Sequence, residues 1–80
     1  MSPEVIRHHR FSIHVYAEHG GRHHLPHCHV RRHDGDAESV VSLPLLDLLA
    51  GPALAPHEWK QLLDSLQQIV DAWAGLNDAP

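Results

Sequence analysis

Phe11, Ile13 and Val15 fall on one side of an extended segment, and Arg10, Ser12, His14 and Tyr16 fall on the other. That period-two pattern marks a strand with one buried face. A polar connection covers residues 17–26, with Gly20-Gly21 as its strongest turn signal. A second strand is predicted from His27, with Cys28 and Val30 inward and His27, His29 and Arg31 outward. Asp34-Gly35 reads as a two-residue hairpin turn, because both central positions of a type I′ turn take positive φ. The third strand is then expected over 37–43. Counting outward from the turn pairs Arg31 with Glu38, Val30 with Ser39, His29 with Val40, Cys28 with Val41 and His27 with Ser42. Arg31 and Glu38 would be a cross-strand pair of opposite charge.

The pattern changes period after Pro44. Residues 45–49 are leucine-rich and suggest one or two helical turns ended by Gly51-Pro52. From Pro56, a residue suited to a first helical turn, Trp59, Leu62, Leu63, Leu66, Ile69, Val70, Trp73 and Leu76 recur at three- and four-residue intervals. One amphipathic helix is predicted over 56–75, with Gly75 and Asn77 as stop signals. The expected architecture is α+β, a single domain over 1–80. A three-stranded antiparallel meander packs its Phe11, Ile13, Val15, Cys28, Val30 and Val41 face on one long C-terminal helix (β-β-β-α, two layers). Its other face would carry Arg10, Ser12, His14, Tyr16, His27, His29, Arg31 and Glu38.

Composition adds function to this frame. At 80 residues the core is thin, so self-association as a homo-oligomer, a partner or a metal would add stability. No apolar run approaches the ~20 residues of a membrane span, and Met1-Ser2-Pro3-Glu4 does not resemble a signal peptide. A cytoplasmic location is expected, in agreement with a lone cysteine, Cys28. Residues 1–33 carry five arginines against Glu4 and Glu18, whereas residues 34–80 carry eight acids against Lys60. Nine of the ten histidines also lie in the basic part, which suits a phosphate-bearing partner such as RNA. Opposite charges on the two parts can equally do no more than solvate different faces.

His27 and His29 share a strand face, with Cα atoms roughly 6.5–7 Å apart, so both rings can converge on one target. One chemistry for that geometry is binding of Zn²⁺ or another divalent metal, with further ligands from His14, His23 or His24. The other is metal-free acid–base catalysis on an RNA 2′-hydroxyl and its phosphate, with Arg10, Arg22 or Arg31 stabilising the charge. Ordinary exposed polar residues would show the same spacing. Cys28 alternates away from both histidines, as a buried thiol would.

The segments Pro3-Glu4-Val5-Ile6-Arg7, Leu25-Pro26-His27-Cys28-His29-Val30, Gly35-Asp36-Ala37-Glu38 and Ala72-Trp73 resemble a bacterial family catalogued as domain of unknown function 4160. Its members carry a Pro-Pro-His-x-His-Val core. Leu25 departs from that core at its first proline, and Cys28 stands where an aromatic or aliphatic residue is usual. The resemblance implies a β-β-β-α domain and a toxin-like component of a two-gene toxin–antitoxin-type module, partnered by a small antitoxin-like protein encoded nearby. It carries over His27 and His29, with His24 at the histidine that commonly precedes the prolines. A non-catalytic protein- or nucleic-acid-binding module is the alternative.

Overall fold

The computed structural model describes residues 4–17 and 25–77. Strands β1 (Glu4–Arg7), β2 (Phe11–His14), β3 (His27–Arg32), β4 (Ser39–Ser42) and β5 (Leu48–Ala50) precede helices α1 (Pro56–Asp64) and α2 (Leu66–Asn77). The strands form one antiparallel sheet in chain order. The three-stranded meander on one long helix is thereby corrected to a five-stranded sheet with two helices, still α+β. Among the described residues no helix is long and apolar enough to cross a membrane.

Each departure has a local cause. β1 pairs Ile6 with Ile13 and Arg7 with Ser12 across a link closed by the His8 N–H on Phe11 O. It is too short to display alternation of its own. β5 replaces the expected helical turns because Ser42 holds a tight reversal: its N–H donates to Asp47 O, and its Oγ accepts the Asp47 N–H. Leu46 adopts φ 60° within that reversal, a conformation that does not propagate a right-handed helix.

The predicted helix is divided at Ser65, whose φ −109° and ψ 13° leave the helical region. Its hydroxyl accepts from Gln61 Nε2 at 2.7 Å, while its N–H still bonds Gln61 O at 3.0 Å. The two helices hold different parts of the sheet. α1 is fixed by Glu58 to Arg32 of β3, while Gln68 and Asn77 of α2 donate to Val5 O and Tyr16 O.

The hairpin register between β3 and β4 is His27 with Ser42, Cys28 with Val41, His29 with Val40 and Val30 with Ser39, as counted from Asp34-Gly35. Gly35 takes φ 92°, and the Asp34 carboxylate accepts the Asp36 N–H. The strand over 37–43 is shorter than expected, Ser39–Ser42: residues 36–38 lie outside the ladder, and Ala37 O accepts from Arg32 Nη1 at 2.8 Å instead.

One sheet face and the helices enclose the core. Phe11, Ile13, Val15, Cys28, Val30, Val41, Leu43, Leu54, Leu62 and Ile69 are buried there. Arg32 follows Cys28 and Val30 by alternation, so it faces the same side and closes the core's end. Its guanidinium meets both carboxylate oxygens of Glu58, at 2.9 and 3.0 Å.

Candidate functional site

The face turned away from the helices collects the polar residues. Register places Glu4, His14, His29, Val40 and Ala50 in one row across the sheet and Arg7, Ser12 and Arg31 in the next. His27 lies in a third row, opposite Ser42. The sequence-predicted residues His14, His27, His29 and Arg31 therefore share this face.

The His27 and His29 ring centroids are 5.2 Å apart. His27 Nδ1 lies 2.8 Å from Leu25 O. A carbonyl only accepts, so that nitrogen carries the proton and Nε2 is the acceptor nitrogen of the neutral ring. His29 Nδ1 stands 3.1 Å from Glu38 Oε1, an electrostatic pairing rather than an aligned hydrogen bond. It becomes an ion pair when the imidazole is protonated. The two rings thus have different neighbours, a backbone carbonyl for one and a carboxylate for the other.

The expected pairing of Arg31 with Glu38 is replaced. Arg31 Nη2 donates to Tyr16 Oη at 3.0 Å, and Tyr16 meets the His29 ring edge-on at 4.8 Å. Glu38 turns to His29, its diagonal neighbour across the hairpin, a pairing that diagonal proximity in an antiparallel ladder permits.

His14 sits deeper than an open sheet face suggests, 6% exposed, with Ser12 at 2%. Its Nε2 bonds Ser12 Oγ at 2.8 Å, and Ser12 Oγ is also 3.4 Å from His33 Nε2. Burial, then the Arg31 charge, lowers its pKa from the ordinary 6.5. His14 is therefore neutral at pH 7. Among the described residues no group of three His, Cys, Asp or Glu side chains is disposed to hold a metal ion. The metal expectation for His14, His27 and His29 gains no third converging ligand there, and its fourth member, His24, lies outside the described residues. Arg22, expected at phosphate, lies outside them as well.

Arg10 is separated from the histidine pair. It lies in the β1–β2 link at the opposite end of β3 from His27, where it lines a concavity of about 320 Å³ with Arg32, Asp34, Asp36, His57 and Glu58. A second histidine group surrounds this end. His8 stacks on Phe11 and His9, with ring centroids 4.6 and 4.2 Å away. Partial burial and the neighbours His9, His57, Arg10 and His33 lower the His8 pKa. An apolar concavity of about 160 Å³, lined by Pro26, Leu43, Pro44, Val70, Trp73 and Ala74, lies on the helix side. Cys28, fully buried between the two site histidines in sequence, is pushed up to about 12 by burial, which removes it as a nucleophile.

The sequence model of a family described as Domain of unknown function (DUF4160) matches residues 11–74, and the chain belongs to that family. No curated protein and no solved structure matches it.

Proposed function

We propose that this DUF4160 domain is an acid–base phosphodiesterase acting on RNA, the toxin-like component of a two-gene module restrained by a small antitoxin-like partner. The observation that carries the chemistry is the unequal pair His27 and His29, with rings 5.2 Å apart on one open face. His27, its Nδ1–H committed to Leu25 O, takes the 2′-hydroxyl proton at Nε2. The 2′-oxygen attacks the adjacent phosphorus, and the bond from phosphorus to the 5′-oxygen breaks. The imidazolium of His29, held beside Glu38, gives its proton to that leaving oxygen. The products are a 2′,3′-cyclic phosphate and a 5′-hydroxyl end. Arg31 reaches the same face and supplies positive charge for the phosphate.

The shape of the face favours a polymer. His27, His29 and Arg31 stand on one sheet face in successive rows, an arrangement that suits a strand laid across them. Tyr16 and the imidazoles offer ring faces to unstacked bases. The toxin-like role rests on the family resemblance.

Cleavage of a single-stranded RNA by His27→Ala, His29→Ala and the double variant tests the reading. Each single change is expected to slow cleavage about 10²–10⁴-fold. Cleavage undiminished in the double variant rejects it.

A second reading, a non-catalytic protein-binding module, is favoured by β5. Leu48, Leu49 and Ala50 are all exposed on an edge strand, a template for strand addition by a partner. Tight partner binding without turnover of RNA or small phosphodiesters would favour it over the enzyme.

A further inference from the structure

A histidine on an uncovered sheet face should be wet, yet His14 is 6% exposed, and its Nδ1 is buried without a hydrogen-bond partner. The cover follows from register. Arg31 lies opposite Ser12, and Tyr16 is two residues beyond His14 on the other side. A hydrogen bond from Arg31 Nη2 to Tyr16 Oη must therefore pass across the row that holds His14 and His29. Ring geometry agrees: the Tyr16 ring is nearly parallel to His14, at 11° and 6.2 Å, and perpendicular to His29.

Beneath this cover the imidazole is only half satisfied. Its Nε2 is held by Ser12 Oγ at 2.8 Å. When Ser12 donates that proton, His14 carries its own at Nδ1, as a buried donor with no acceptor. Native proteins leave few such groups, and each calls for an explanation. An oxygen of a phosphodiester is an acceptor of the right kind, and Arg31, the group that closes the site, is also the group that an anion draws away.

We propose that the Arg31–Tyr16 hydrogen bond is a clasp over His14, and that a phosphodiester which captures Arg31 opens it and gains the His14 imidazole as a further binding group. This rests on the reading that phosphodiesters bind the face of His27 and His29, and it adds a third imidazole and a gate to that site. His14 is thereby a binding residue, whereas Tyr16 acts through Arg31. The bond between Arg31 and Tyr16 competes with ligand, so removing it should strengthen binding. Tyr16→Phe keeps the ring against His14 and His29 and deletes only the hydroxyl.

The test titrates the whole chain, with ¹⁵N-labelled imidazoles, with a dinucleoside monophosphate lacking the 2′-hydroxyl, a probe that binds without being cleaved. The expected result has two parts. The His14 Nδ1 resonance shifts along the same binding curve as His27 and His29, and Tyr16→Phe binds the probe about fivefold tighter, the scale of one exposed hydrogen bond to a charged group. If the probe moves His27 and His29 but leaves His14 in place, or if Tyr16→Phe binds no tighter, the clasp is overturned while the acid–base site stands. If the probe does not bind at all, both are overturned.

Discussion

Glu58→Gln removes one charge from the ion pair that ties α1 to β3 and changes almost no volume. The Arg32 and Glu58 side chains are 10% and 6% exposed. Glu58 accepts from Arg32 Nε at 2.9 Å, from Arg32 Nη2 at 3.0 Å and from the Ala55 N–H at 2.8 Å. A glutamine oxygen in the place of Oε1 can keep the bonds from Arg32 Nη2 and Ala55 N–H, but its amide then faces Arg32 Nε with donor against donor. Removing one member of a buried pair typically costs about 3–5 kcal/mol, because the other charge stays behind. Arg32 retains Ala37 O at 2.8 Å and Ser39 Oγ at 2.9 Å, which places the loss at the lower end, about 3 kcal/mol. At roughly 0.05–0.15 kcal/mol per residue, total stability for a chain of this size is about 4–12 kcal/mol, so the loss is a quarter to three-quarters of the whole.

Urea unfolding followed by the fluorescence of Trp59 and Trp73 measures it. The double variant Arg32→Met, Glu58→Leu should lose much less than the two single variants added together, since it leaves no stranded charge. A loss below about 1 kcal/mol in Glu58→Gln, or additivity within about 0.5 kcal/mol in the cycle, would refute the reasoning. The pair also predicts an acid limb. Burial alone would raise the Glu58 pKa, but the Arg32 and Ala55 hydrogen bonds and the Arg32 charge outweigh it and hold it below the ordinary 4.5. Its stabilisation is complete above pH 4.5 and is lost as pH falls through the lowered folded value.

Further outcomes follow from the same structure. His14 has its pKa lowered from 6.5, so its contribution is complete above that pH and declines as pH falls toward the folded value. The urea midpoint should drop between pH 7 and pH 5.5, and by less in His14→Gln; an identical drop in both would count against it. Gly51 has φ 86°, and an added Cβ would strike Glu38 O and come within 2.8 Å of Ser39 Cα. Gly51→Ala should therefore cost at least about 1–2 kcal/mol from backbone strain alone, measured by the same unfolding. Under the proposed acid–base reading it also shifts the segment that carries Glu38, so cleavage of a single-stranded RNA should slow with it. Cys28, with its thiol pushed up to about 12, should react with a thiol reagent only as fast as the chain opens, so labelling and unfolding should share one dependence on urea.

The centre of the sheet was readable because its signals were independent of the rest of the molecule. Alternation through Phe11, Ile13 and Val15 marks β2, and Asp34-Gly35 sets the β3–β4 register independently of any tertiary contact. What escaped depended on pairing with the neighbouring strand rather than on a pattern of its own. β1 and β5 are four and three residues long and are strands only because β2 and β4 offer them edges. Ser65 looks unremarkable within a continuous apolar stripe, and nothing in the spacing of that stripe marks the break between α1 and α2 there. At the site, residue type and face were legible for His14, His27, His29 and Arg31. The choice of partners was not, because Arg31 and His29 could each have met Glu38, and side-chain reach over Tyr16 decided between them. The Arg32–Glu58 pair was not legible, because Ala55 at the start of α1 has no side chain that caps and the two residues lie 26 positions apart.

Arg31 and Arg32 are chemically identical and adjacent, and the pleat gives them opposite assignments: one faces the histidines, the other locks a helix to the sheet. A β3 shifted by one residue against its neighbours would exchange them. His27, His29 and Arg31 would turn into the core, and Cys28 and Val30 would turn out into water. In the direction that carries Arg31 into the place of Arg32, Glu58 would still meet a guanidinium, and in the other it would meet His33. Alignment is therefore fixed by the buried Cys28 and Val30 rather than by the ion pair alone. The register that buries them and brings Arg32 to Glu58 also brings His27 and His29 out together, so a chain that has closed its core has already presented its site.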